Sequence, residues 1–164
     1  MKVRTGFVSN SSSSSFVVAF PRIPKDAKDT AIIMFGKTDG IIECYDETMD
    51  YMRIAEIVFK DLKTQENPTK KDFIDVFNSG YLDGAPDSDS YNIGTPDYSI
   101  DGDYDWAAYH YACEKFANKI MEEYLSKNKD AVYFIFNYSD NEGSSLLEHG
   151  EIFRKMEHIR VSQH

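Results

Sequence analysis

The stretch Ala131 to Tyr138, AVYFIFNY, carries apolar or aromatic side chains at both odd and even positions. Successive residues of a strand point to opposite faces, so a strand of this composition must be covered on both sides. It reads as the central strand of a layered domain. A second apolar run, Phe16 to Phe20, reads as another buried strand, halted by Pro21 and Pro24. Neither run approaches the roughly 20 residues needed to span a bilayer.

Around these strands the apolar period changes to that of helices. Trp106, Tyr109, Cys113, Phe116, Ile120 and Tyr124 recur every three or four residues, the core face of a long helix opening at Asp105 and closing near Lys127 and Lys129. Tyr51, Ala55, Val58 and Leu62 trace a second helix, with Thr48 or Asp46 as its cap. A shorter one is predicted from Pro68 to Phe77, with Gly80 beyond its end. Ala31 to Phe35 and Ile41 to Tyr45 read as a hairpin about Gly36 and Gly40. Ser145 and Glu148 have the spacing of a capping box, opening a short helix toward Met156 that Gly150 weakens. His158 to Ser162 alternate as a strand does. Strands interleaved with three to four helices predict an α/β or α+β fold: one layered domain over residues 1–164 with a small mixed sheet.

Charge narrows the partners. The 164 residues hold 28 acidic and 18 basic side chains, a net charge of −10, which disfavours direct nucleic-acid binding and anionic membranes and suits a basic protein. Cys44 and Cys113 form no CxxC pattern, and with no apolar signal segment following Lys2 and Arg4 the expectation is two reduced thiols in a cytoplasm. Cys113 falls on the helix stripe and reads as packing.

Residues 83–105, DGAPDSDSYNIGTPDYSIDGDYD, contain seven Asp and no Lys or Arg, and read as an acidic loop insert. Its spacing fails as a calcium loop, because Tyr91 stands where an oxygen ligand is needed and the sixth-place Gly and twelfth-place Glu are missing. His110 and Glu114 could share a metal across one helical turn, but the pair reads more simply as a helix ion pair.

Two constellations carry candidate chemistry. Ser11 to Ser15 abut a strand, and their hydroxyls, Ser11, Ser12, Ser13 and Ser14 first, could cradle an anion; the run also reads as a docked turn bonded to backbone. It lacks the Gly and Lys of a nucleotide P-loop. Asp140, Glu142, Glu148, His149, His158 and His164 gather near the C-terminus. Should the strands at 131–138 and 158–162 run parallel, their ends meet on one sheet edge, where Glu148, His149 and His164 could act as acid and base or hold a metal. The spacing matches no zinc motif and names no cofactor. The plainer reading is surface His with a capping Glu148.

MKVRTGFVSNSSSSSF, together with the closing SDNEG, LEHGEIF and HIRVSQH, resembles the ends of a loose group of uncharacterised bacteriophage and bacterial proteins. The resemblance covers about the first 20 and last 30 residues and implies phage origin, not an activity. With no complete catalytic set in view, the expectation is a phage-type protein in the host cytoplasm that binds a host or phage protein stoichiometrically. The alternatives are a metal- or His-dependent hydrolase or transferase built on Glu148, His149 and His164, and a structural virion component.

Overall fold

The structure, a computed structural model, describes residues 13–78, 81–82, 106–140 and 145–163. The acidic insert at 83–105, Ser11, Ser12, Glu142 and His164 lie outside the described residues, as do the side chains of Trp106, Tyr109, His110 and Cys113.

A four-stranded sheet organises the fold. Its members are β1 (Ser13–Phe20), β4 (Tyr81–Leu82), β5 (Val132–Ser139) and β6 (His158–Gln163), in the order β4-β6-β1-β5. The central position between two long strands belongs to β1, and β5 lies at the edge, contrary to the expectation for AVYFIFNY. Both faces of β5 are nonetheless covered, which explains its composition: apolar side chains answer to the layers above and below, not to neighbours within the sheet. Every ladder is antiparallel. Since β5 and β6 each run against β1, they run in the same direction as one another, and both end beside the start of β1: Ser13 pairs with Ser139 on one side and Gln163 on the other.

The faces follow strand parity. Phe16, Val18 and Phe20 of β1 join Phe134, Phe136 and Tyr138 of β5 beneath α1 (Ala27–Phe35), α2 (Tyr51–Lys63) and α5 (Ser145–His149). Val17 and Ala19 meet Phe73 and Phe77 of α3 (Lys70–Asn78) and Ala117, Met121 and Tyr124 of α4 (Trp106–Lys127). The sequence-predicted α/β layered fold is therefore what forms, though among the described residues its sheet is antiparallel rather than mixed and it carries five helices where three to four were expected. Among the described side chains of α4 the deepest are Ala112, Ala117, Met121 and Tyr124, while Phe116 and Ile120 are only half-buried. Over the described side chains from Tyr111 on, the buried face is thus rotated slightly from the bulky stripe, with two alanines on it.

Local signals explain the remaining differences. Ala31 to Phe35 is helix, not strand: Asp26 accepts the Asp29 N–H at 2.7 Å, and Gly36, at φ 77°, closes the other end by donating to the Ile32 carbonyl at 2.9 Å. The hairpin instead joins β2 (Ile41–Cys44) and β3 (Glu47–Asp50), turning through Tyr45 at φ 53°. Asp50, rather than Thr48 or Asp46, caps α2 by accepting the Arg53 N–H at 2.8 Å. Thr69 and Asp72 form a reciprocal cap at the start of α3, which holds the Asp72 carboxyl below its ordinary range. Among the described residues no helix is long and apolar enough to cross a membrane.

Candidate functional site

Ser14 stands two residues before Phe16, so it shares that face of β1 and is buried there, 1% exposed. Above it lies the short helix α5, whose Glu148 is equally buried. The Ser14 hydroxyl donates to Glu148 Oε1 at 3.1 Å. It also accepts two bonds from Arg160 of β6, from Nε at 3.1 Å and Nη2 at 3.0 Å. One donor and two acceptor sites are all a hydroxyl has, so Ser14 is saturated. The Arg160 guanidinium lies over the Phe16 ring, 5.8 Å from its centroid. A buried carboxylate and a guanidinium are thereby joined through one hydroxyl, each offsetting the desolvation of the other.

His149 completes the cluster. Its Nδ1 lies 3.4 Å from Arg160 Nη2 and its Nε2 3.4 Å from Glu148 Oε2. Arginine can only donate, so the Arg160 contact assigns the acceptor role to Nδ1 and leaves Nε2 to face the carboxylate. The His149 side chain is 21% exposed and meets the edge of Tyr45, itself 78% exposed, with ring centroids 5.7 Å apart. A partly open imidazole is therefore backed by a buried acid.

Of the sequence-predicted residues, Ser14, Glu148 and His149 come together. Glu148 does not form the capping box; it turns inward to Ser14, and Glu47 of β3 caps α5 instead, accepting the Ser145 N–H at 3.1 Å and hydroxyl at 2.8 Å. Ser13 begins β1 on the opposite face, with Ser15, whose hydroxyl donates to Asn137 Oδ1 at 2.6 Å. His158 turns Nδ1 to the Met156 carbonyl at 2.9 Å and its ring toward Phe16 and Phe153. The Ser14 hydroxyl, offered by the sequence to an outside anion, here serves the chain's own Glu148. Among the described residues no three His, Cys, Asp or Glu side chains gather as a metal site. Burial, and then Glu47, raise the Cys44 thiol above its ordinary pKa, which works against a thiolate there.

Arg160 escaped the sequence reading. Its one signal was parity: in HIRVSQH it alternates in step with His158 and Ser162, and pairing Phe16 with Arg160 puts it on the Ser14 face.

On the other side of α5 a cleft of about 410 Å³ runs along the outer edge of β5. Its walls are Ile57, Asp61 and Gln65 on the last turns of α2 and just beyond, Leu147 of α5, and Asn137 and Ser139 of the edge itself. The Tyr138 hydroxyl donates to Asp61 Oδ2 at 3.0 Å, and Gln65 Oε1 accepts the Ile135 N–H at 2.9 Å. Burial first, then the Asp61 charge, hold the Tyr138 phenol far above its ordinary pKa. No family model, curated protein or solved structure matches the chain.

Proposed function

We propose that the protein is a phage-type factor acting by stoichiometric binding to a host or phage protein. The observation that carries this reading is the cleft along β5, where outward backbone groups and the Asp61 carboxylate lie together at an accessible surface. The groups best suited to chemistry are by contrast engaged with one another: the Ser14 hydroxyl donates a hydrogen bond to Glu148, and both are buried. A net charge of −10 favours a basic partner. Size-exclusion chromatography with light scattering on cross-linked producing cells tests it. The expected result is a complex of fixed stoichiometry with one basic protein, rebuilt from the purified components. A chain that runs alone in every fraction overturns the reading.

A second reading, a His-dependent hydrolase or transferase, draws support from the partly exposed His149 imidazole beside the buried Glu148 carboxylate. A hydrolytic activity lost in both His149→Ala and Glu148→Gln, with folding intact, is its test.

A further inference from the structure

Within an antiparallel pair, residues alternate between turning their N–H and C=O toward the partner strand and away from it. The Ile135 N–H points away from β1, since it donates to Gln65. By alternation Asn137 and Ser139 also face outward, into the cleft. Among the described residues no strand pairs with this edge. The Gln65 carboxamide oxygen already occupies the place that a neighbouring strand's carbonyl would take at Ile135. Beyond it the two following outward positions line open space. Ile57 and Leu147 give that space apolar walls, and Asp61 places a carboxylate in it that forms no ion pair among the described residues.

We infer that the outer edge of β5 takes up an extended segment of a basic partner protein as an additional strand, with a Lys or Arg of that segment on Asp61. The inference rests on the binding reading above and names the partner's recognised element. Ladder bonds to Asn137 and Ser139 supply affinity that any sequence could use. Specificity comes from side chains alternating along the segment: an apolar one against Ile57 and Leu147, and a cation on Asp61. The cation gives a half-buried carboxylate the counter-charge it lacks among the described residues. An acidic segment would meet Asp61 and the surplus negative charge, and is rejected. From Ile135 to Ser139 the edge spans roughly 13 Å, four steps of about 3.3 Å, enough to lay a segment of about five residues whose ladder bonds fall at Asn137 and Ser139.

The probe is a displayed library of random peptides about seven residues long, selected on the full chain and counter-selected on three variants. Asn137→Pro removes an outward N–H while leaving every ladder bond to β1, as edge strands allow. Asn137→Ala keeps that N–H and removes only the side chain and its bond to Ser15. Asp61→Asn keeps an acceptor for the Tyr138 hydroxyl but removes the charge. Peptides with alternating apolar residues and a Lys or Arg should be enriched. Their affinity should be retained in Asn137→Ala, lost in Asn137→Pro, and lowered about tenfold in Asp61→Asn. Enrichment without basic residues, or affinity within twofold in Asp61→Asn and Asn137→Pro, overturns the inference. If the cellular complex still forms with both of those variants, the binding reading stands and only the edge is wrong. If no complex forms even with the unaltered chain, the binding reading itself fails.

Discussion

The Ser14 hydroxyl donates to Glu148 Oε1 at 3.1 Å across 134 positions of sequence, and so joins the central strand to the helix above it. Because Ser14 also takes both Arg160 donors, its removal leaves three polar partners short at once. Ser14→Ala is therefore expected to lose about 2–4 kcal/mol, the range for stranding a buried charge and its donors. Urea unfolding measures it. A loss under about 1 kcal/mol would mean that Glu148 and Arg160 close on each other without the bridge.

The core face of α4 makes a second prediction. Met121 is fully buried against the sheet, whereas Phe116 is half-covered. Met121→Ala should cost about 2–5 kcal/mol and the larger truncation Phe116→Ala only about 1–2 kcal/mol. The reverse order of unfolding midpoints would place the bulky stripe inward after all.

How much of this was legible in the sequence depended on the range of the signal. The α2 face and the burial of Phe16 to Phe20 were readable because period and composition are local. Ala31 to Phe35 misled because a short apolar run has no period of its own, and the decision lay with Asp26 and Gly36 outside it. The place of β5 at the edge was not readable. It depends on which strands Ser13 pairs with, and those partners lie more than 120 residues away. Glu148 was found for its type and spacing, but its role follows from parity in β1, since only the second residue before Phe16 can face it. Arg160 and Glu47 act on residues 146 and 98 positions distant, beyond any local pattern.

Alkaline stability tests the buried phenols. Burial, and after it Asp61, raise the Tyr138 pKa; burial, then Tyr133 and Glu157, raise that of Tyr124. Both hydroxyls hold their protons in the folded protein at pH values where an unfolded tyrosine, at about 10, loses its own. Stability from this source is complete below about pH 10 and falls as pH rises above it, because only the unfolded chain releases the protons. Unfolding midpoints should fall steeply above about pH 10, and Tyr138→Phe should flatten the fall. Tyrosinate absorbance should show these two rings ionising together with unfolding. Their titration near pH 10 in a folded chain would mean that water reaches them.

Glu47 makes the last prediction, because α5 cannot stand alone. Five residues are far fewer than an isolated helix needs, so its ends must be held from outside. At the C-terminal end the Gly150 N–H donates to the Leu146 carbonyl at 2.7 Å. At the N-terminal end the Glu47 carboxylate, carried by the hairpin, accepts the Ser145 N–H, its hydroxyl and, at 3.4 Å, the Leu146 N–H. A carboxylate is the favoured group there, matching both the orphan donors and the positive end of the dipole. Losing it should shift the local opening equilibrium more than the global one, since the bonds involved hold only this helix. In Glu47→Ala, amide exchange from Ser145 to Gly150 is expected to quicken roughly tenfold or more, with β1 unchanged. Glu47→Gln, which keeps one oxygen acceptor, should fall between. Since α5 carries Leu147 into the cleft and Glu148 into the Ser14 bridge, faster exchange in this helix should accompany weaker partner binding. Unchanged protection over Ser145 to Gly150 would show instead that Leu146 and Glu148, buried beneath, hold the helix without its cap.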